Sequence, residues 1–163
     1  MGLLQEAAAD LDFSEVNYFS IDEWPGDSLA HIDADLVLAL SEYRDRLGHG
    51  VVPSPVVDGW YRTDGSKTSR HYAVGRLSDA GDVFPQCDIR KALMVAMGWG
   101  WGGIGVYLDT TGPSGKPEPM LHLDMRQGRV IWMRYNGRYI YPMSSAEAMA
   151  EFWQRLSEVK YAG

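Results

Sequence analysis

The pattern of apolar and polar positions along the chain predicts three helices. The first runs from Asp33 to Leu47, with its aspartate as the N-cap and Gly48 as the stop. One face of this helix carries Leu36, Leu40, Tyr43 and Leu47. A second helix is predicted from Asp88 to Met97. A third begins at Ser144, which has the spacing of a capping box with Glu147, and extends to about Val159.

The remaining apolar segments predict strands, over residues 51–57, 104–108, 120–125, 130–134 and 138–141. Pro53 and Pro55 restrict the first of these to a sheet edge or to an irregular extended segment. Asn136-Gly137, between the last two, is a typical hairpin turn. Because a helix begins the pattern and the strands occupy its middle and late parts, we expect an α+β fold with an antiparallel sheet and flanking helices.

Length, charge and cysteine content narrow the class of protein. The chain has 163 residues, enough to bury a core without disulfides. Its single cysteine, Cys87, excludes both a disulfide framework and a Cys-rich zinc site. The formal net charge of −7 argues against a nucleic-acid partner. Met1–Phe13 lacks the basic start of a secretory signal, and no apolar run approaches the ~20 residues of a membrane helix.

This length and composition predict a single domain over residues 1–163. We expect the protein to be made in the cytoplasm without a signal peptide and to have no membrane partner. With so little cysteine, any bound metal must be held by histidine and carboxylate side chains.

One predicted strand presents polar side chains to a single face. The alternation of a strand places His122 and Asp124 on one face and Leu121, Leu123 and Met125 on the other. Asp82 shares a face with Ala80 in the same way, and His71 lies in the preceding Gly-rich segment. Two imidazoles and a carboxylate are typical of hydrolytic zinc sites, which hold Zn²⁺ at ~2.0–2.2 Å and leave a position for water.

His71, Asp82 and His122 are therefore candidate zinc ligands. Each one, taken alone, also has a structural interpretation: His71 as a loop histidine, His122 as a core histidine with satisfied hydrogen bonds, and Asp82 as a cap or turn residue. The joint pattern favours the metal site.

Several motifs carry a family resemblance. They are Gly59-Trp60-Tyr61-Arg62, Ser69-x-His71 with Gly75 and Ala80-x-Asp82, Gly103-x-Gly105-x-Tyr107, and Leu121-His122-Leu123-Asp124-Met125-Arg126. Together they resemble the D-Ala-D-Ala carboxypeptidase family of zinc peptidases, which has the hedgehog/DD-peptidase fold. The likeness runs from about Phe19 to Tyr141 and is greatest to a phage and bacterial, endolysin-like branch.

The resemblance implies a function and a set of roles. His71, Asp82 and His122 would bind zinc, and Arg62 would hold the substrate or the oxyanion. Asp124 fits the H-x-D form of this branch, either as the catalytic base or as a residue that orients a zinc histidine. The implied activity is hydrolysis of peptidoglycan stem peptides or cross-links, by a carboxypeptidase or an endopeptidase acting at the bacterial cell wall or carried in a virion.

The chain departs from the family pattern at two points. The family motif has its aspartate seven positions after its histidine, whereas Asp82 lies eleven positions after His71, so Asp79 is a rival ligand. Many relatives have an acidic residue three positions before the second zinc histidine, where this chain has Pro119. Glu118 is the alternative base.

Two further interpretations stay open. Tyr107 either donates a hydrogen bond in the site or packs. The alternative function is a non-catalytic virion protein that keeps the fold and contacts other phage particle proteins. The acidic charge favours this alternative, and the ligand triplet and Arg62 disfavour it.

Overall fold

The computed structural model describes residues 5–161, so the first residues of the Met1–Phe13 segment lie outside the described residues. Its three helices are α1 (Ala34–Leu47), α2 (Ile89–Gly98) and α3 (Ala146–Glu158). Its strands are β1 (Val51–Pro53), β2 (Ala80–Pro85), β3 (Gly103–Tyr107), β4 (Met120–Asp124), β5 (Val130–Tyr135) and β6 (Arg138–Ile140). Within residues 5–161, no helix combines the length and the apolar character that a membrane crossing requires.

The six strands form one sheet in the order β1-β2-β4-β3-β5-β6. Neighbouring strands are antiparallel except β3 and β5, which are parallel. The α+β class is confirmed. The sheet is mostly antiparallel, as expected, but it contains one parallel pair, β3 and β5, that was not predicted. The reason is the short segment 125–129, which passes the end of β3 and places β5 on the far side of that strand.

Local signals set the helix ends. The Asp33 carboxylate accepts a hydrogen bond from the backbone N–H of Asp35 at 3.0 Å, and Gly48 ends α1 in the left-handed conformation. The predicted Ser144 cap of α3 is wrong by one residue. Ser144 belongs to a 3₁₀ turn that begins at Pro142, and Ser145 accepts the capping hydrogen bond from Ala148 at 3.0 Å.

The two faces of the sheet differ in chemistry. One face joins the helices in the hydrophobic core through Val83, Ile104, Val106, Leu121, Leu123 and Met133. Strand alternation puts Asp82, His122 and Asp124 on the other face, as predicted for β4. Met125, predicted to share the core face, instead follows the end of β4 and is 37% exposed.

Candidate metal centre

Register brings two of the candidate ligands together. Asp82 on β2 and His122 on β4 are directly opposed in the antiparallel pair. Their side chains leave the same face, and Asp82 Oδ1 lies 3.0 Å from His122 Nδ1. Both strands are buried on the core side, so this spacing is fixed by the sheet.

His71 reaches the same point from a loop. Its backbone carbonyl accepts from the N–H of Arg62 at 2.7 Å, which anchors the loop beside the Trp60-Tyr61-Arg62 segment. The His71 Nδ1–H donates to the carbonyl of Trp60 at 3.4 Å. This contact turns the other ring nitrogen, Nε2, towards the sheet, where it lies 3.0 Å from His122 Nδ1 and 3.3 Å from Asp82 Oδ1.

The three side chains form a buried donor set that fits a cation. Ligand atoms of His71, Asp82 and His122 all lie within 4.8 Å of one another, and both histidines are almost fully buried. Since His71 Nδ1 and His122 Nε2 each donate elsewhere, the two facing nitrogens present lone pairs beside a carboxylate oxygen. Facing acceptors repel, so a metal ion or a proton must lie between them. The donor types and the partners behind each histidine suit a metal ion.

The pKa values of the site also indicate that positive charge lies between these side chains in the metal-free protein. Burial disfavours the charged ring of His122, but its hydrogen bonds to Asp124 and Asp82 prevail and raise its pKa to about 9. Burial likewise opposes ionisation of Asp82, yet the neighbouring His71 and His122 hold the pKa of that carboxyl far below its usual range. The site therefore binds positive charge, as a proton when no metal is bound.

Asp124 lies behind His122. Its Oδ2 accepts from His122 Nε2 at 2.9 Å, and its Oδ1 accepts from the side-chain Nε and the backbone N–H of Arg126 at 2.8 and 3.1 Å. The carboxylate is completely buried on the far side of the ring from Asp82. This geometry is typical of a residue that orients a metal-binding histidine, and it leaves no free carboxylate oxygen at the cluster.

Two glycines of β3 make room for this arrangement. A Cβ on Gly103 would lie 2.1 Å from Asp124 Oδ2, and one on Gly105 would lie 2.6 Å from the ring of Trp132. Trp132 can therefore cross β3 and pack against His122, with ring centroids 5.1 Å apart. The Gly-x-Gly pattern thus serves close packing behind the candidate metal centre.

Tyr107 lies at the end of β3 and contacts Trp132. Its hydroxyl oxygen accepts a hydrogen bond from the indole N–H of Trp132 at 3.3 Å. Burial raises the pKa of Tyr107 well above its usual value, so the phenol stays protonated. Packing is therefore observed for Tyr107, and donation to a ligand stays a prediction.

The other predicted site residues lie outside the cluster formed by His71, Asp82 and His122. Asp79 pairs with Arg70, with Oδ1 2.8 Å from Nε, so Asp82 and not Asp79 joins the two histidines. The Arg62 side chain is exposed and donates to the carbonyl of Asp58 at 3.2 Å. Glu118 accepts from the amide of Gln86 at 3.0 Å in the loop before β4.

Sequence reasoning missed the supporting residues Arg126, Gly103 and Trp132 as parts of the site. Arg126 stands two positions after Asp124, and its guanidinium also lies 5.4 Å above the Trp132 ring. The Gly-x-Gly pattern inside a strand was a usable signal, since glycine there indicates close approach of another group.

Comparison with known proteins identifies no relative. No family model, no curated protein and no solved structure matches this chain.

Proposed function

We propose that this protein is a zinc-dependent peptidase that cleaves peptide bonds in bacterial peptidoglycan. The observation that carries the proposal is the convergence of His71 Nε2, His122 Nδ1 and Asp82 Oδ1 in a buried site with oriented histidines. Three nitrogen and oxygen ligands are typical of catalytic zinc sites, whereas structural zinc sites are closed by four ligands and are rich in cysteine.

His71, Asp82 and His122 would hold the ion. Bound there, zinc supplies Lewis acidity towards a peptide carbonyl and towards water. The protein's contribution is to fix the ligands. Asp124 holds the proton on His122 Nε2, so Nδ1 remains the binding atom, and the Trp60 carbonyl does the same for His71.

Arg62 supplies positive charge beside the His71 loop. Its Nε contacts the Asp58 carbonyl, and its two terminal nitrogens have no hydrogen-bond partner within residues 5–161. In the proposal this guanidinium binds the peptide substrate or the oxygen on which negative charge develops. The substrate class itself rests on the resemblance of the motifs around these residues to the D-Ala-D-Ala carboxypeptidase family.

One observation favours a second candidate, a non-catalytic virion protein that keeps the peptidase fold. A hydrolase needs a base at the cluster. Asp124 is fully paired with His122 and Arg126, and Glu118 lies in the loop before β4, where it bonds to Gln86. The catalytic proposal therefore assigns Asp124 the orienting role.

Digestion of peptidoglycan separates the two candidates. Zinc-loaded protein is incubated with purified sacculi of several stem-peptide types, and the products are analysed by mass spectrometry. Release of alanine indicates a carboxypeptidase, and cleaved cross-links or stems indicate an endopeptidase. His122→Gln should abolish release, while exposed His49→Gln should leave it unchanged. If the wild type binds zinc but releases no fragment from any sacculus, the catalytic proposal fails and the virion candidate stands.

A further inference from the structure

Arg76 lies in the loop between His71 and Asp82, the segment that is longer than the family motif. Its Nε donates to the carbonyl of Tyr72 at 2.8 Å, and its Nη2 donates to the carbonyl of Ser69 at 2.6 Å. These two carbonyls flank His71 in the chain. Arg76 thus clamps the loop that carries a metal ligand.

The clamp occupies only one edge of the guanidinium. Nε and the adjacent hydrogen of Nη2 form the side edge, and both are used. The end edge, formed by Nη1 and the second hydrogen of Nη2, has no hydrogen-bond partner among residues 5–161. That edge is a two-pronged donor whose spacing matches a carboxylate.

Arg76 also lacks a counter-charge. Within the described chain no carboxylate oxygen lies within 4.0 Å of it, whereas Arg70 pairs with Asp79 and Arg126 pairs with Asp124. Burial lowers the pKa of Arg70, the nearby Asp124 opposes this shift, and Arg76 and Arg126 add to it, so these charges lie close together. A half-buried, unpaired guanidinium therefore lies against the loop that carries His71, in a protein with a net charge of −7.

We propose that the open edge of Arg76 binds a carboxylate of the ligand, and that the protein prefers peptides with an acidic group away from the bond to be cut. This step rests on the proposed function, because a peptide held at the cluster is what brings its carboxylate to the His71 loop. Arg62 remains available for the reacting part of the same peptide.

The first test uses glutarate, a small dicarboxylate, and glutaramide, its uncharged analogue. The side-chain Nε–H signals of the wild-type, zinc-loaded protein are followed by NMR during titration. Glutarate should shift the Arg76 signal in a saturable manner, and glutaramide should not. Arg90 is the control: its Nε and Nη2 donate to the Asp88 carboxylate, and its Nη1 donates to the carbonyl of Ser157, so neither edge is open.

An absent glutarate shift at Arg76, or an equal shift at Arg90, overturns the proposal. Arg76→Lys keeps the charge but loses the two-pronged edge, and should weaken glutarate binding on the order of tenfold. Arg90→Lys should leave glutarate binding unchanged. Equal affinity in the wild type and Arg76→Lys contradicts the assignment. Because Arg76→Lys also alters the loop clamp, the wild-type Arg76 signal is decisive.

Hydrolysis supplies an independent comparison. For peptides that differ only by a carboxylate or a carboxamide away from the cut bond, the wild type should show a lower KM for the acid, and Arg76→Lys should remove that difference while kcat changes little. A wild type that hydrolyses no peptide refutes the proposed function, and the glutarate titration still decides the role of Arg76.

Discussion

The metal-free protein should lose stability as the pH rises from 6 to 9. The cause is His122, whose pKa lies at about 9 in the folded chain, against about 6.5 in the unfolded chain. A group whose pKa is raised by folding stabilises the fold fully below its unfolded pKa, and this contribution disappears as the pH rises through its folded pKa. A difference of roughly 2.5 pKa units corresponds to about 3 kcal/mol of unfolding free energy.

Urea unfolding of EDTA-treated protein at intervals between pH 6 and pH 9 measures this loss. In thermal unfolding of a chain of this size, the same loss of about 3 kcal/mol lowers Tm by roughly 6–12 °C. Zinc-saturated protein should show no such decline above pH 7, because the ion replaces the proton between the ligands.

Two variants isolate the group responsible. His122→Gln should remove the pH dependence, and His49→Gln, at an exposed position, should retain it. Metal-free protein whose stability is constant or rises from pH 6.5 to pH 9 would refute the reasoning. So would a His122→Gln variant with the same loss as the wild type.

Two further predictions concern the support behind the ligands. Gly103→Ala should destabilise the protein by about 1–3 kcal/mol in urea unfolding, because the new Cβ would overlap Asp124, whereas Gly98→Ala, which meets no atom within 4 Å, should change stability far less. Equal effects would contradict the packing argument. Asp124→Asn should keep the fold and weaken zinc binding roughly 10–100-fold in chelator competition, since the carboxylate that fixes the His122 tautomer is lost. Unchanged zinc affinity would remove Asp124 from the site.

Local features of the fold could be predicted because the signals for them are local. Asp33 caps the start of α1 and Gly48 ends it, as expected. Asn136-Gly137 forms the predicted hairpin turn, with both residues at positive φ. The order of the strands has no such signal. The passage of the chain across the end of β3 depends on the packing of the whole sheet.

The candidate site could likewise be predicted only where its signals are local. Strand alternation is enough to place His122 and Asp124 on one face. The choice between Asp82 and Asp79 depends on distant partners, because the β2–β4 register brings Asp82 to His122 while Arg70 occupies Asp79. The orienting contacts to Asp124 likewise become visible only when side chains from several strands are assembled.

Zinc content tests the central claim most directly. The wild type, Asp82→Ala and Asp79→Ala are dialysed to equilibrium against buffered zinc, and bound metal is measured by mass spectrometry of the element. The donor set predicts about one zinc in the wild type and in Asp79→Ala, and a large loss in Asp82→Ala, which keeps only two ligands. A wild type without zinc, or full occupancy in Asp82→Ala, would contradict the assignment of His71, Asp82 and His122 as a metal centre.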